Sequence, residues 1–199
     1  MKTTTTQNDK EADAQTLTRI VLVGFMGAGK SSVARKLAEK MDVNHLDLDE
    51  YIEVRENRSI TEIIENIGET LFRNLETDAL KEVLKIAQSR VIALGGGTWT
   101  IEKNRSLIIE NECQTIWLDA PFELCWQRIM RNVESRPLAK TEESARKLFD
   151  ERQPIYKTAN IRIEVSESSK IETIATEIFS LNDKPKKNSK RDAKIESQL

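Results

Sequence analysis

The chain has 199 residues, a length that suits one domain with a sizeable core and is too short for two large ones. Hydrophobic residues make up 38% and charged residues 32%, and the net charge is -2, so no basic field points to nucleic acid and no apolar run reaches the length of a membrane span. Two cysteines without C-x-x-C spacing and a single histidine exclude a typical zinc motif. We therefore expect a cytoplasmic protein that contacts neither membrane nor nucleic acid. We also expect a monomer, although composition does not determine the oligomeric state.

Composition divides the chain into three segments. Residues 1–17 are polar and of low complexity, so we expect a disordered N-terminal tail. Residues 183–199 are rich in lysine and predict a basic C-terminal tail. A solvated, disordered tail is favoured there over one that binds nucleic acid or an acidic partner. Residues 18–182 between the tails are expected to form a single domain.

The first predicted strand, Ile20–Val23, leads into a glycine-rich stretch and then a helical pattern, Lys30–Lys40. From Gly24 to Ser31 the sequence reads G-F-M-G-A-G-K-S, which has the G-x-x-x-x-G-K-[ST] spacing of a P-loop. Glycines permit a bend that turns several backbone N–H groups toward one anion, and the N-terminus of the helix adds its positive dipole end. The pattern predicts that nucleotide phosphates are bound by Gly27, Ala28, Gly29, Lys30, Ser31 and Ser32.

The second predicted strand, His45–Leu48, runs into Asp47-Leu48-Asp49. In an extended chain, alternation places both carboxylates on one side, with Leu48 facing inward. Beside a bound nucleotide, one carboxylate can hold Mg²⁺ and the other can accept a hydroxyl proton. The alternative is that both aspartates only cap a helix that begins near Glu50. The catalytic interpretation is favoured because this strand end faces the same crevice as the P-loop.

Helices and short β-branched runs alternate along the rest of the chain. The further strands are predicted at Val91–Leu94, Thr115–Leu118 and Ile161–Val165. The further helices are predicted at Ser59–Ile67, Glu69–Gln88, Ile101–Asn111, Phe122–Arg131, Glu142–Tyr156 and Lys170–Leu181. Two of them open on apparent capping boxes, Ser59 with Glu62 and Ser169 with Glu172. This alternation predicts a three-layer α/β/α fold with a five-stranded parallel sheet.

Four further motifs follow in chain order: Phe72-Arg73, the strand end Gly95–Gly97, Arg136-Pro137-Leu138 and Arg152-x-Pro154-x-Tyr156. Three consecutive glycines are entropically costly and indicate a sharp turn or a closely approaching ligand. Any single arginine could simply be solvated on a helix surface. Residues 131–141 have few apolar anchors and predict either a mobile lid or an ordinary surface loop.

In this order, from about Arg19 to Leu181, these motifs resemble those of the shikimate kinases. The resemblance implies a P-loop kinase fold with strand order 2-3-1-4-5 and a mobile lid. It also implies ATP and shikimate as substrates and Mg²⁺ as cofactor. Ser31 and Asp47 would hold the metal, and Lys30 would contact the ATP phosphates.

The resemblance also implies the remaining roles in the site. Asp49 would bind shikimate hydroxyls and act as the general base, while Arg73 and Arg152 would clamp the carboxylate. The backbone amides of Gly95, Gly96 and Gly97 would approach the same substrate. Arg136 would be the lid arginine at the transferring phosphoryl group, and Arg128 would lie over the adenine.

Three positions depart from the family pattern: Trp99 is bulky where an aliphatic residue is usual, Ser32 replaces the commoner threonine, and Ala139 replaces a second leucine. They affect the expected shape of the pocket and the lid, and no charged group is lost. Two rival functions remain. One is a kinase for another polyol acid such as gluconate, which would not be expected to combine these motifs. The other is a nucleotide-binding regulator that has lost catalysis, which should have lost Lys30, Asp49 or a substrate arginine.

Overall fold

The computed structural model describes residues 18–86, 88–131 and 141–182. Its strands are β1 (Ile20–Val23), β2 (Asn44–Asp47), β3 (Ser89–Ala93), β4 (Gln114–Asp119) and β5 (Ile161–Glu164). Its α-helices are α1 (Lys30–Met41), α2 (Leu48–Glu56), α3 (Ile60–Lys85), α4 (Glu102–Glu110), α5 (Phe122–Met130), α6 (Glu142–Tyr156) and α7 (Ile171–Asn182). A 3₁₀ turn at Thr98–Thr100 follows β3.

The strands form one parallel sheet in the order β2-β3-β1-β4-β5, which confirms the predicted fold. β1 is the central strand: Val21 pairs with Ile92 of β3 on one side and with Thr115 of β4 on the other. Every residue of β1 is buried, as expected for a strand covered by helices on both faces. Because all the strands are parallel, their carboxyl ends share one edge, and the P-loop leaves the middle of that edge.

The extended conformation predicted for Asp47-Leu48-Asp49 is wrong. β2 ends at Asp47, and Leu48 begins α2. Asp47 is the N-cap of α2, because its side chain accepts the backbone N–H groups of Asp49 and Glu50. Asp47 therefore caps a helix as the alternative predicted, but it does not only cap it, because its other carboxylate oxygen accepts the Ser31 hydroxyl. The list of predicted helices had left α2 out. Leu48 is fully buried, so the expectation that it faces inward is confirmed.

The long helix α3 confirms the predicted break between two helices. Gly68 has φ 79° and ψ 161°, a conformation outside the helical region that divides α3 into two parts. The capping box at the start of α3 is confirmed, with Ser59 and Glu62 bonding each other's backbone N–H. The capping box predicted for α7 is not formed: α7 begins at Ile171, so Ser169 lies two residues before it, and its hydroxyl accepts the N–H of Ser166.

Part of the prediction falls on residues that the structure does not describe. Residues 1–17 and 183–199, predicted as tails, lie outside the described residues. So do residues 132–140, which make up most of the predicted lid and include Arg136. None of the described helices is both long enough and apolar enough to cross a membrane.

Candidate active site

The P-loop connects the end of β1 to the start of α1 through glycines that no other residue could replace without strain. Gly27 has φ 80°, and a Cβ there would lie 2.6 Å from the carbonyl oxygen of Cys125. Gly29 has φ 101° and forms the N-cap of α1. Lys30 is buried, and its Nζ donates to the carbonyl oxygens of Gly24 at 2.9 Å and Phe25 at 3.0 Å. The lysine is thus folded back over the loop whose N–H groups form the predicted phosphate site.

The two residues predicted to hold a metal are in direct contact. The Ser31 hydroxyl donates to Asp47 Oδ2 at 2.5 Å, across the gap between α1 and the end of β2. Asp47 Oδ1 separately caps α2 through the N–H of Asp49 at 3.0 Å. Each carboxylate oxygen therefore has its own partner. A hydroxyl and a carboxylate brought together beside a P-loop are the hard oxygen ligands that Mg²⁺ prefers, so this pair fits the metal.

The glycine strand end carries the three predicted substrate residues, one against each glycine. A Cβ on Gly95 would lie 2.5 Å from Asp49 Oδ1, and one on Gly97 would lie 2.5 Å from Arg73 Nη2. A Cβ on Gly96 would lie 3.2 Å from the Met26 backbone nitrogen of the P-loop and 3.7 Å from Arg152 Nη1. Gly95 therefore leaves room for the carboxylate of Asp49 from α2, and Gly97 leaves room for the guanidinium group of Arg73 from α3. Arg152 from α6 lies at ordinary contact distance from Gly96.

The guanidinium group of Arg73 is held by two glutamates of its own helix. Arg73 Nη1 lies 2.9 Å from Glu76 and Nη2 lies 3.0 Å from Glu69. Burial disfavours the charge, but these carboxylates outweigh that effect and raise the pKa of Arg73 above its ordinary value. Glu76 is itself buried and also accepts the Thr98 hydroxyl at 2.6 Å. Sequence analysis missed Glu76, although its i, i+3 spacing from Arg73 on a predicted helix was a usable signal.

Arg152 is buried on α6, one turn before Tyr156. The Tyr156 hydroxyl donates to the carbonyl oxygen of Gly96, so both side chains of this helix meet the same glycine. Burial raises the pKa of Tyr156 to about 12, so the hydroxyl stays protonated as a donor well into the alkaline range. Arginine and tyrosine from the predicted R-x-P-x-Y motif therefore both face the glycine strand end.

A cavity of about 580 Å³ joins the P-loop to the glycine strand end. It is lined by Gly27, Gly29, Lys30, Ser31, Ser32, Asp47, Asp49, Glu50, Glu53, Ile60, Leu94, Gly96, Arg128 and Arg131. Arg128 of α5 packs against the P-loop, and its Nη1 donates to the carbonyl oxygen of Gly27 at 3.0 Å. Arg131, which sequence analysis missed, lines the same cavity. Arg73 instead borders a neighbouring cavity of about 620 Å³ between α3 and the start of α4.

Comparison with known proteins identifies the family. The model of the shikimate kinase family matches residues 26–182. The chain belongs to the shikimate kinase family. A shikimate kinase from Sulfurihydrogenibium sp. is 37% identical over 163 residues, which cover 80% of this chain and 96% of that relative. The shikimate kinase from Cereibacter sphaeroides is 35% identical over 175 residues, or 86% of each chain.

A solved structure supports the same assignment. The shikimate kinase from Acinetobacter baumannii, determined in complex with shikimate, superposes with a TM-score of 0.78 at 36% identity. The alignment covers 83% of this chain and 93% of that chain. The family resemblance predicted from the ordered motifs is therefore confirmed. The individual roles assigned to the site residues remain predictions.

Proposed function

We propose that this chain transfers the γ-phosphoryl group of ATP to the 3-hydroxyl of shikimate, giving shikimate 3-phosphate and ADP for chorismate and aromatic amino acid biosynthesis. Membership of the family supports the reaction. The observation that carries it for this chain is the meeting of Asp49, Arg73 and Arg152 at three consecutive glycines beside the P-loop. A kinase for a neutral acceptor would have no use for two guanidinium groups at that position.

Arg73 and Arg152 bind the carboxylate of shikimate in this proposal. Guanidinium groups match a carboxylate with two parallel hydrogen bonds, a geometry that lysine cannot provide. The carbonyl oxygen of Gly96 is occupied by Tyr156, and that of Gly97 accepts the backbone N–H and the hydroxyl of Thr100. The backbone N–H groups of Gly95, Gly96 and Gly97 approach the substrate in this proposal.

Gly27, Ala28, Gly29, Lys30, Ser31 and Ser32 hold the phosphates of ATP. Lys30 provides a charge that can leave the loop carbonyls for the β- and γ-phosphates, and α1 presents its positive end. Arg128, already on the P-loop, covers the nucleotide side of the cavity. Ser31 and Asp47 would hold Mg²⁺, which would supply neutralisation of phosphate charge when bound.

Asp49 accepts the proton of the attacking hydroxyl. As the new bond from that oxygen to the γ-phosphorus forms, the bond between this phosphorus and the β,γ-bridging oxygen breaks, and ADP leaves with the electron pair. Such a transfer depends on positioning and charge neutralisation rather than covalent catalysis. We also propose that Arg136, outside the described residues, neutralises the transferring group, and that the chain acts as a cytoplasmic monomer.

The experiment is ADP release measured with a coupled assay in the presence of ATP and Mg²⁺. Shikimate, quinate, gluconate and buffer alone are compared as acceptors, and the product is identified by ³¹P NMR. We expect saturable turnover with shikimate and the phosphate on its 3-hydroxyl. Preferred turnover with gluconate would favour the rival polyol kinase. Nucleotide binding without turnover on any acceptor would favour a regulator.

A further inference from the structure

Trp99, the residue that departs from the family pattern after the glycines, does not enter the substrate cavity. It lies in the 3₁₀ turn Thr98–Thr100, and only 2% of its surface is exposed. Its indole Nε1 donates to the carbonyl oxygen of Ile155 at 3.1 Å. Ile155 belongs to the last turn of α6, between Arg152 and Tyr156. The bulky side chain therefore links the glycine strand end to the helix that carries Arg152.

This link is not needed to satisfy the Ile155 carbonyl. The same oxygen already accepts the backbone N–H of Thr158 at 3.1 Å and its hydroxyl at 2.7 Å. A third donor adds little to the solvation of that oxygen, since a carbonyl has two lone pairs. The consequence of the indole bond is mechanical: it fixes where the end of α6 lies relative to the turn.

Hydrogen bonds to residues outside the helix stabilise the end of α6. Pro154 lies inside the helix, where it has no N–H to donate to the preceding turn. Two hydrogen bonds in opposite directions join this end to the glycine strand end, from the Trp99 indole to Ile155 and from the Tyr156 hydroxyl to Gly96. Arg152 lies about one turn before both residues in the helix, and its Nη1 would lie 3.7 Å from a Cβ on Gly96.

The 3₁₀ turn is itself anchored on the opposite side. The Thr98 hydroxyl donates to Glu76, which in turn holds Arg73. Arg105 of α4 donates to the carbonyl oxygens of Trp99 and Thr100, both at 2.9 Å. Two consecutive residues therefore reach the two guanidinium groups: Thr98 reaches Arg73 through Glu76, and Trp99 reaches Arg152 through the end of α6.

We propose that Trp99 is a positioning residue that sets the spacing between Arg152 and Arg73 for one substrate carboxylate. The inference rests on the proposed function, because the carboxylate is that of shikimate. Two guanidinium groups bind one carboxylate well only at a matched separation, and displacements of about 1 Å in a site can cost about 10²-fold in rate. Loss of the indole bond loosens α6 against the turn and weakens binding of the anionic acceptor, while the nucleotide side stays intact.

The test is Trp99→Phe, which keeps an aromatic ring and removes the N–H donor. In the wild type, saturable turnover with shikimate must be seen first, and its absence would sink the proposed function rather than this inference. We expect the KM for shikimate to rise about five- to tenfold, less than the about 10²-fold cost of a full 1 Å displacement because the aromatic ring is kept, with kcat and the KM for ATP unchanged. The matched control is Trp126→Phe on α5, whose ring stacks on Phe122 away from the glycines, and it should change none of these constants.

A double-mutant cycle with Arg152→Lys tests the route of the effect. If Trp99 acts through Arg152, adding Trp99→Phe to that background should raise the KM for shikimate by less than about twofold. A full effect in that background, or a lowered melting temperature with unchanged kinetics in the single variant, would overturn the inference. If Trp99→Phe fails to fold, Tyr156→Phe removes the reciprocal bond and should show the same selective rise. A Tyr156→Phe variant whose KM for shikimate does not rise would likewise overturn the inference.

Discussion

At the level of single residues, the site depends on the absence of side chains at the glycine strand end. None of Gly95, Gly96 and Gly97 has a positive φ, so backbone strain does not explain them. They are explained by space, because a methyl group at Gly95 or Gly97 would displace the charged atoms of Asp49 or Arg73. The sequence indicated that some group approaches the backbone of these glycines closely, and the structure shows that the side chains of Asp49 and Arg73 do so.

Asp49→Asn tests the proposed base. It keeps the shape of the side chain and removes the proton acceptor, so kcat should fall by about 10²- to 10⁴-fold while the dissociation constant for ATP stays unchanged. Steady-state kinetics and calorimetric titration with ATP measure the two effects. Asp42→Asn, at the left-handed C-cap of α1, is the control and should be neutral. Nearly normal turnover of Asp49→Asn would remove this residue from the mechanism.

Glu76→Gln tests whether the buried carboxylate holds Arg73 in place. The Thr98 hydroxyl keeps an acceptor, but Arg73 loses a charged partner, so the KM for shikimate should rise about ten- to hundredfold. The KM for ATP should not change. Glu82→Gln provides the control on the same helix, because its carboxylate pairs with Arg55 on the outer surface. Equal effects of both substitutions would show that helix stability, and not the clamp, is responsible.

At the level of elements, the bounds of helices and strands were predicted correctly where a single sequence signal determined the backbone conformation. Gly68 was correctly placed between two helices because glycine is a poor helix former and adopts a positive φ readily. The helix α2 was left out of the predicted helices because Asp47 satisfies two patterns at once, strand alternation and helix capping. Only the three-dimensional structure shows that one oxygen caps the helix while the other meets Ser31.

Gly68→Ala tests the break within α3. Its φ and ψ lie in a region that is nearly exclusive to glycine, although a Cβ there would meet nothing within 4 Å. The free energy of unfolding should therefore fall by about 1–3 kcal/mol, as measured by urea denaturation. Glu65→Ala, at an exposed helical position, should be neutral or slightly stabilising. An unchanged stability of Gly68→Ala would mean that α3 does not need the break.

The hydrogen bond from the Tyr156 hydroxyl to the Gly96 carbonyl oxygen predicts that the free energy of unfolding falls at alkaline pH. The pKa of Tyr156 is raised to about 12 in the folded chain. Folding therefore favours the protonated hydroxyl. Its contribution to the free energy of unfolding is complete below about pH 10 and is lost as the pH rises toward 12. The stability advantage of the wild type over Tyr156→Phe should narrow by about 2 kcal/mol by pH 12. A constant difference measured by denaturation across this range would contradict the assigned environment.

At the level of the whole molecule, alternation of strands and helices was enough to predict the sheet, because parallel strands need crossover helices on both faces. The order of motifs identified the family, and those in the described part of the chain lie at a strand end or on a helix that reaches the same edge. Glu76 could have been found from its i, i+3 spacing to Arg73, although charged helix residues are usually solvated. Arg131 is exposed at the C-cap of α5, and only the structure shows that it lines the cavity.

The most direct test of the account is a crystal structure of the chain with shikimate and ADP. We expect the carboxylate of shikimate to lie within hydrogen-bonding distance of both Arg73 and Arg152. Its 3-hydroxyl should lie at Asp49, on the side that faces the P-loop. Shikimate bound with its carboxylate away from these arginines, or in another cavity, would contradict the central claim that the glycine strand end assembles the acceptor site.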